Sequence, residues 1–233
     1  MIALIVLSLG LIGYIPTLGP GDTVPALPLV DQNDRAFSFA DFRDDIVIVS
    51  FVYTSCRDEA ECPLVAAKLA RIQAAIGTQP IRLVALTLDP RNDTPANMRA
   101  FGAKYGADAR VWKLATGAPA VIDELIARFG ITPVRTSGTL VHDESVVVLD
   151  RGGRIARMIP GNGWTPTDVL ALARTVAGAP VDWPTATRLW LATAAERCGV
   201  GGGAFSMGSA LAVLLVSSGA IGFALIRMFS GRS

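Results

Sequence analysis

Apolar positions along this chain fall into alternating strand-like and helix-like blocks. The segment 45–53, DIVIVSFVY, is β-branched and almost wholly apolar, as a strand buried on both faces requires. PLVAAKLARIQAAIG (63–77) has helical spacing, opens on Pro63 and stops at Gly77. IRLVALTL (81–88) reads as a second buried strand, followed by the turn chemistry of DPRNDTP. Segments 94–106 and 118–130 predict further helices, each closed by a glycine. ESVVVLD (144–150) and GRIARMIP (153–160) flank RGG and predict a hairpin, and 165–178 a last helix. This pattern supports an α/β domain with a central sheet.

Composition adds what the periodicity leaves out. Hydrophobic residues make up 51% of the 233 and charged residues 18%, more apolar material than a soluble domain uses. The excess sits at both ends. Ile2 to Ile15 is an apolar run of the length of a signal-peptide core, about 7–15 residues, and shorter than the roughly 20 that span a bilayer. It lacks a basic start and an A-x-A cleavage site, so residues 1–21 read as a signal peptide or an N-terminal apolar segment. After Arg197 no charge appears until Arg227, a stretch long enough to cross a membrane. Arg227 and Arg232 lie just past it, which places that end in the cytoplasm. The expected organisation is a domain at 22–178, a tether at 179–203 ending in GVGGG, a transmembrane helix at 204–228 and a tail at 229–233. The domain then faces the periplasm or another extracytoplasmic side.

A net charge of +1 without a Lys/Arg cluster gives no basis for nucleic-acid binding. Three cysteines are too few for a disulfide scaffold. His142 is the single histidine, so a metal site here must rest mainly on sulfur or carboxylate.

The chemistry concentrates in TSCRDEAECP (54–63). Cys56 follows the strand at 45–53, in the loop at its carboxyl end, where open α/β sheets place their sites. Pro63 suits the first turn of a helix, which makes Cys62 the expected N-cap. A thiolate there would meet free N–H groups and the positive end of the helix dipole. Six residues apart on one helix, the two sulfurs would point away from each other; a loop through Arg57–Glu61 lets them meet. On these residues alone a redox pair, a metal clip and two small buried hydrophobes all remain open.

FVYTSCRDEAECPLV resembles the T-x-C-x-x-x-C-P stretch of the Sco/SenC family, thioredoxin-fold copper chaperones of cytochrome c oxidase assembly. VALTLDPRNDTPANMRAFGAKYG is similar to that family's strand ending in S-x-D-P-x-x-D-T-P and the helix after it. VWKLATGAP resembles its tryptophan-containing segment, and VHDESVVVLDRGGRI the segment carrying a metal-binding histidine. His142, Asp150 and Gly153 keep the family's spacing there. The resemblance covers about Val24 to Gly178. It departs at the cysteine pair, where five residues intervene in place of three, and three of the five are acidic.

The resemblance implies a thioredoxin-like central mixed sheet flanked by helices, with Cys56, Cys62 and His142 as copper ligands. Cu(I) favours soft thiolates and accepts imidazole as a third donor, so the set is chemically apt. The implied activity is a metallochaperone for the copper A subunit of cytochrome c oxidase, working with a copper donor or thiol reductant. The alternative is a membrane-anchored thiol-disulfide oxidoreductase that uses Cys56 and Cys62 on oxidase or other extracytoplasmic cysteines. An oxidoreductase of this fold favours C-x-x-C and a proline before the strand facing the disulfide. Here LVHDE precedes SVVVLD, with histidine and no proline. A peroxidase-like reading lacks an identifiable arginine partner for the thiol. Asp58, Glu59 and Glu61 ease the approach of a cation while opposing thiolate formation. Asp89 and Asp93 are expected to form a turn, and Cys198, beyond the matched region, to be a free thiol.

Overall fold

A computed structural model describes residues 17–136, 139–142, 144–178 and 187. The expected N-terminal segment, except residues 17–21, lies outside them, as do the transmembrane helix at 204–228, the tail, Cys198 and nearly all of the tether. No helix among the described residues is long and apolar enough to cross a membrane. The chain divides into Met1–Ala179 and Pro180–Ser233, and the fold described is that of the first unit.

In chain order the strands and helices are β1 (Leu29–Asp31), β2 (Ala36–Phe37), β3 (Ile46–Val52), α1 (Cys62–Ile76), β4 (Ile81–Thr87), α2 (Pro95–Lys104), β5 (Trp112–Thr116), α3 (Pro119–Arg128), β6 (Val134–Thr136), β7 (Thr139–Val141), β8 (Ser145–Leu149), β9 (Ile155–Pro160) and α4 (Pro166–Val176). A seven-stranded sheet runs β2-β1-β5-β4-β3-β8-β9, and β6-β7 forms a separate ribbon. The main sheet is mixed: β3 pairs parallel with β4, and β4 with β5, while β8 joins β3 antiparallel. All seven residues of β3 are buried, as its unbroken apolar run requires.

The predicted elements are present with boundaries shifted by a few residues. β8 and β9 form the expected hairpin around RGG. Asp150 accepts bonds from the Gly152 and Arg154 amides, and Gly153 takes φ +71°, a left-handed conformation that glycine adopts without strain. The short strands β1, β2, β6 and β7 and the third parallel strand, β5, are additions to the sequence-based picture. β5 is anchored by Lys113, which donates 2.8 Å to Asp31 of β1. Helix α2 lies so close to it that a Cβ at Gly102 would approach Leu114 Cδ1 to 2.8 Å.

Candidate metal and thiol site

Strand β3 delivers the site to the carboxyl end of the sheet. Its hydrogen-bonded pairing with β4 ends at Val52, and Tyr53 then bonds both ways: its carbonyl accepts from Cys56 N–H at 3.2 Å, closing the turn into the cysteine loop. Its own N–H donates to Cys62 Sγ at 3.4 Å. Cys62 is 1% exposed, whereas Cys56 is half-buried, and both are free thiols. Both cysteines are thus tied to Tyr53, and Cys56 stands near enough to Cys62 to help raise its thiol. Cys56 Sγ also stands 3.6 Å from Glu61 Oε2 and 3.8 Å from the Asp58 carbonyl.

Helix α1 begins one residue earlier than Pro63 implies. Cys62 is its first residue, Pro63 its second, and Glu61 the N-cap, without a side-chain capping bond. The expectation of a thiolate favoured by the helix end is corrected with it. Burial pushes the Cys62 thiol up, and the neighbouring Cys56 and Glu61 add to the rise against the bond from Tyr53 N–H. The desolvation penalty on a charged sulfur outweighs the one bond that would stabilise it, from Tyr53 N–H.

That shift fixes a pH dependence for the reduced, metal-free chain. A free thiol ionises near its ordinary value of 9.0, whereas native Cys62 keeps its proton well above that. Above pH 9 the unfolded chain therefore binds fewer protons, and stability falls by up to about 1.4 kcal/mol per pH unit for this group. Urea unfolding at pH 8 and pH 10 should show a steeper loss in wild type than in Cys62→Ala; equal losses would contradict this account.

Tyr53 reaches the third candidate residue as well. Its ring meets the His142 ring edge-on, with centroids 6.2 Å apart, and its hydroxyl donates 3.4 Å to the Leu140 carbonyl. Burial, then a hydrogen bond to Cys56 and the proximity of both cysteines, push the Tyr53 hydroxyl upward. Tyr53 thus touches all three candidate residues. No three His, Cys, Asp or Glu side chains among the described residues are arranged to hold a metal ion, so the two thiols and His142 do not form a closed ligand set.

Two carboxylates behind the site do more than form a turn. Asp93 is fully buried and accepts from Thr54 Oγ1 and Thr87 Oγ1, each at 2.5 Å, and from Thr54 N–H. It pins the stem of the cysteine loop to β4. Asp89, 3% exposed, accepts from Asn92 Nδ2 and from Arg135 of β6, each at 2.8 Å. The acidic loop is held from the other side. Asn162 Nδ2 donates 2.7 Å to the Ala60 carbonyl, while Lys68 bonds the Asn162 carbonyl and lies 4.7 Å over the Trp164 ring. Glu144 is raised first by burial; His142 and Lys68 act to lower it, Glu61 and Asp58 to raise it, so carboxylates and cations both stand beside the site.

Tyr53, Arg135, Glu144, Lys68 and Asn162 were not singled out by sequence. Tyr53 had a usable signal, an aromatic three positions before a cysteine at a strand end. Arg135 and Asn162 act across 46 and 102 residues and leave no local trace.

These features define a thioredoxin-like α/β domain with a thiol pair at the carboxyl end of its central strand. The chain belongs to the SCO1/SenC family, whose model matches residues 17–177. It is 24% identical over 144 residues to the SCO1 protein homolog of Bacillus subtilis, covering 59% of this chain and 74% of that protein. Among solved structures it is similar to Bradyrhizobium japonicum ScoI with copper bound: TM-score 0.55, 24% identity, 68% of this chain and 99% of that one. It is also similar to BsSco, a member of the Sco family of cytochrome c oxidase assembly proteins in which a disulfide switch is identified. That match has TM-score 0.59 and 19% identity, covering 70% of this chain and 98% of that one.

Proposed function

We propose that this protein is a copper metallochaperone serving the copper A centre of a respiratory cytochrome oxidase, with Cys56, Cys62 and His142 as the donors to Cu(I). The observation that carries the reading is that Tyr53, at the end of β3, bonds the Cys56 amide and Cys62 Sγ while its ring meets that of His142. Two soft sulfurs and an imidazole match Cu(I), and the carboxylates of Glu61 and Glu144 lower the cost of bringing a cation in. His142 completes the set by turning from the Tyr53 ring toward the sulfurs, a side-chain adjustment of the kind common on binding. Family membership and the copper held by the Bradyrhizobium relative support the same reading. In this reading the apolar run 204–228 anchors the domain on the extracytoplasmic face, where a copper donor loads it and a thiol reductant keeps the pair reduced.

Metal uptake requires both sulfurs as thiolates, so copper loading and disulfide formation exclude each other. Cys62 enters as a thiol and gives up its proton, and apparent affinity falls as pH falls.

The experiment is an anaerobic Cu(I) titration of the reduced full chain against a chromogenic chelator. One Cu(I) per chain is expected, weakened roughly 10–100-fold in His142→Ala, a loss of the size seen when a metal site is disturbed. Undiminished affinity in His142→Ala would remove that residue from the site.

The thiol-disulfide oxidoreductase reading rests on the same two free thiols, with half-buried Cys56 as the attacking sulfur. Rapid turnover of a disulfide substrate without copper binding would decide for it.

A further inference from the structure

The ribbon that carries His142 has little of the core to hold it. Among the described residues, strands β6 and β7 pair only with each other, Val134 with Val141 and Arg135 with Leu140. Val134, Arg135, Thr136 and Val141 are exposed, and Leu140 is buried. Such a ribbon is marginal alone, so its placement depends on the ties it makes to the body. One is the bond from the Tyr53 hydroxyl to the Leu140 carbonyl. Another reaches from the facing strand: Arg135 donates 2.8 Å to the Asp89 carboxylate, which is 3% exposed while the Arg135 side chain is 49% exposed. Asp89 is itself held rigidly. It follows β4 by two residues, its amide donates to Thr87 Oγ1 at 2.9 Å, and Asn92 Nδ2 donates 2.8 Å to the same carboxylate oxygen that Arg135 holds. Four residues on, Asp93 grips Thr54 at the stem of the cysteine loop. One short loop therefore touches both arms of the site.

We propose that Arg135 and Asp89 are positioning residues for His142: their ion pair holds the β6–β7 ribbon so that the imidazole stays beside the cysteine pair. The pair acts through the ribbon, since Arg135 stands opposite Leu140, two residues before His142. A buried carboxylate is a stiff anchor, because turning it away from its partner would leave it uncompensated. The inference rests on the reading of His142 as a copper donor.

The test is a double-mutant cycle on the reduced full chain, reading Cu(I) affinity by chelator competition in wild type, Arg135→Ala, His142→Ala and the double variant. Arg135→Ala is expected to lower affinity about tenfold where His142 is present. In the His142→Ala background its effect should shrink to about twofold or less, the scatter of uncoupled sites. Arg135→Lys, which keeps a cation in reach of Asp89, should restore most of the loss. A side chain serving only general stability would cost the same in both backgrounds. Equal losses, or no loss with His142 present, overturn the proposal. If His142→Ala binds copper as tightly as wild type, the donor assignment has failed first, and that result is separate from anything Arg135 does.

Discussion

Cys62→Ser is expected to lower Cu(I) affinity by roughly 10³-fold or more, because a hard hydroxyl replaces one of two soft thiolates. The fold should survive. Serine is nearly isosteric, and its oxygen can still accept the Tyr53 N–H bond that the sulfur takes at 3.4 Å. The stability cost of changing that one buried contact is about 1 kcal/mol. Chelator competition measures the first effect and urea unfolding the second. Cys56→Ser should match it in copper affinity while costing less stability, because Cys56 is only half-buried. Retained copper affinity in Cys62→Ser would sink the assignment of the pair. A collapse of the fold in parallel with copper loss would instead mark Cys62 as a core residue first.

Asp93→Ala is expected to cost about 3–5 kcal/mol of stability, since burying donors without an acceptor costs about 1–3 kcal/mol each. The Thr87 hydroxyl, on a fully buried side chain, would lose its acceptor, and so would the Thr54 hydroxyl and N–H. Asp93→Asn keeps an acceptor at the same place, and the two hydroxyls can rotate to meet its amide, so about 1 kcal/mol is expected there. The direction of the Asp93 shift agrees. Burial, which outweighs the bonds from Thr54 and Thr87, raises the carboxyl above its ordinary 3.8. Between that value and the native one the folded chain holds the extra proton. The Asp93 contribution is therefore present at lower pH and is lost as pH rises through the native value. Asp93→Asn should flatten that part of the pH–stability profile. A profile unchanged by the substitution, or a mild Asp93→Ala, would show that the bonds to Thr54 and Thr87 do not carry the cysteine-loop stem.

The strong elements were legible because each had a long, consistent period. Strand β3 is a seven-residue apolar run, and α1 is fifteen residues between Glu61 and Gly77. β1, β2, β6 and β7 are two or three residues long, too short for any periodicity to register, and they exist because the sheet and one another pair with them. β5 mixes Lys113 with Trp112, Leu114 and Ala115, and its lysine finds Asp31, 82 positions away, only once the chain between them has folded. The N-cap was misplaced by one position because Pro63 is tolerated at either of the first helical residues.

The sequence by itself determined the α/β class, the order of the main strands and helices, and the place of Cys56 in the loop at a strand end with Cys62 at the start of the next helix. Those follow from local composition and spacing, which the chain carries wherever it folds. Only the tertiary structure decided the state of the site. It buried Cys62 deeply enough to hold its proton, a balance of desolvation against the Tyr53 N–H bond that spacing cannot weigh. It also gave Asp89 and Asp93, expected as turn residues, long-range partners in Arg135 and Thr54. These lie 46 and 39 residues away, and such distances close only when the sheet does.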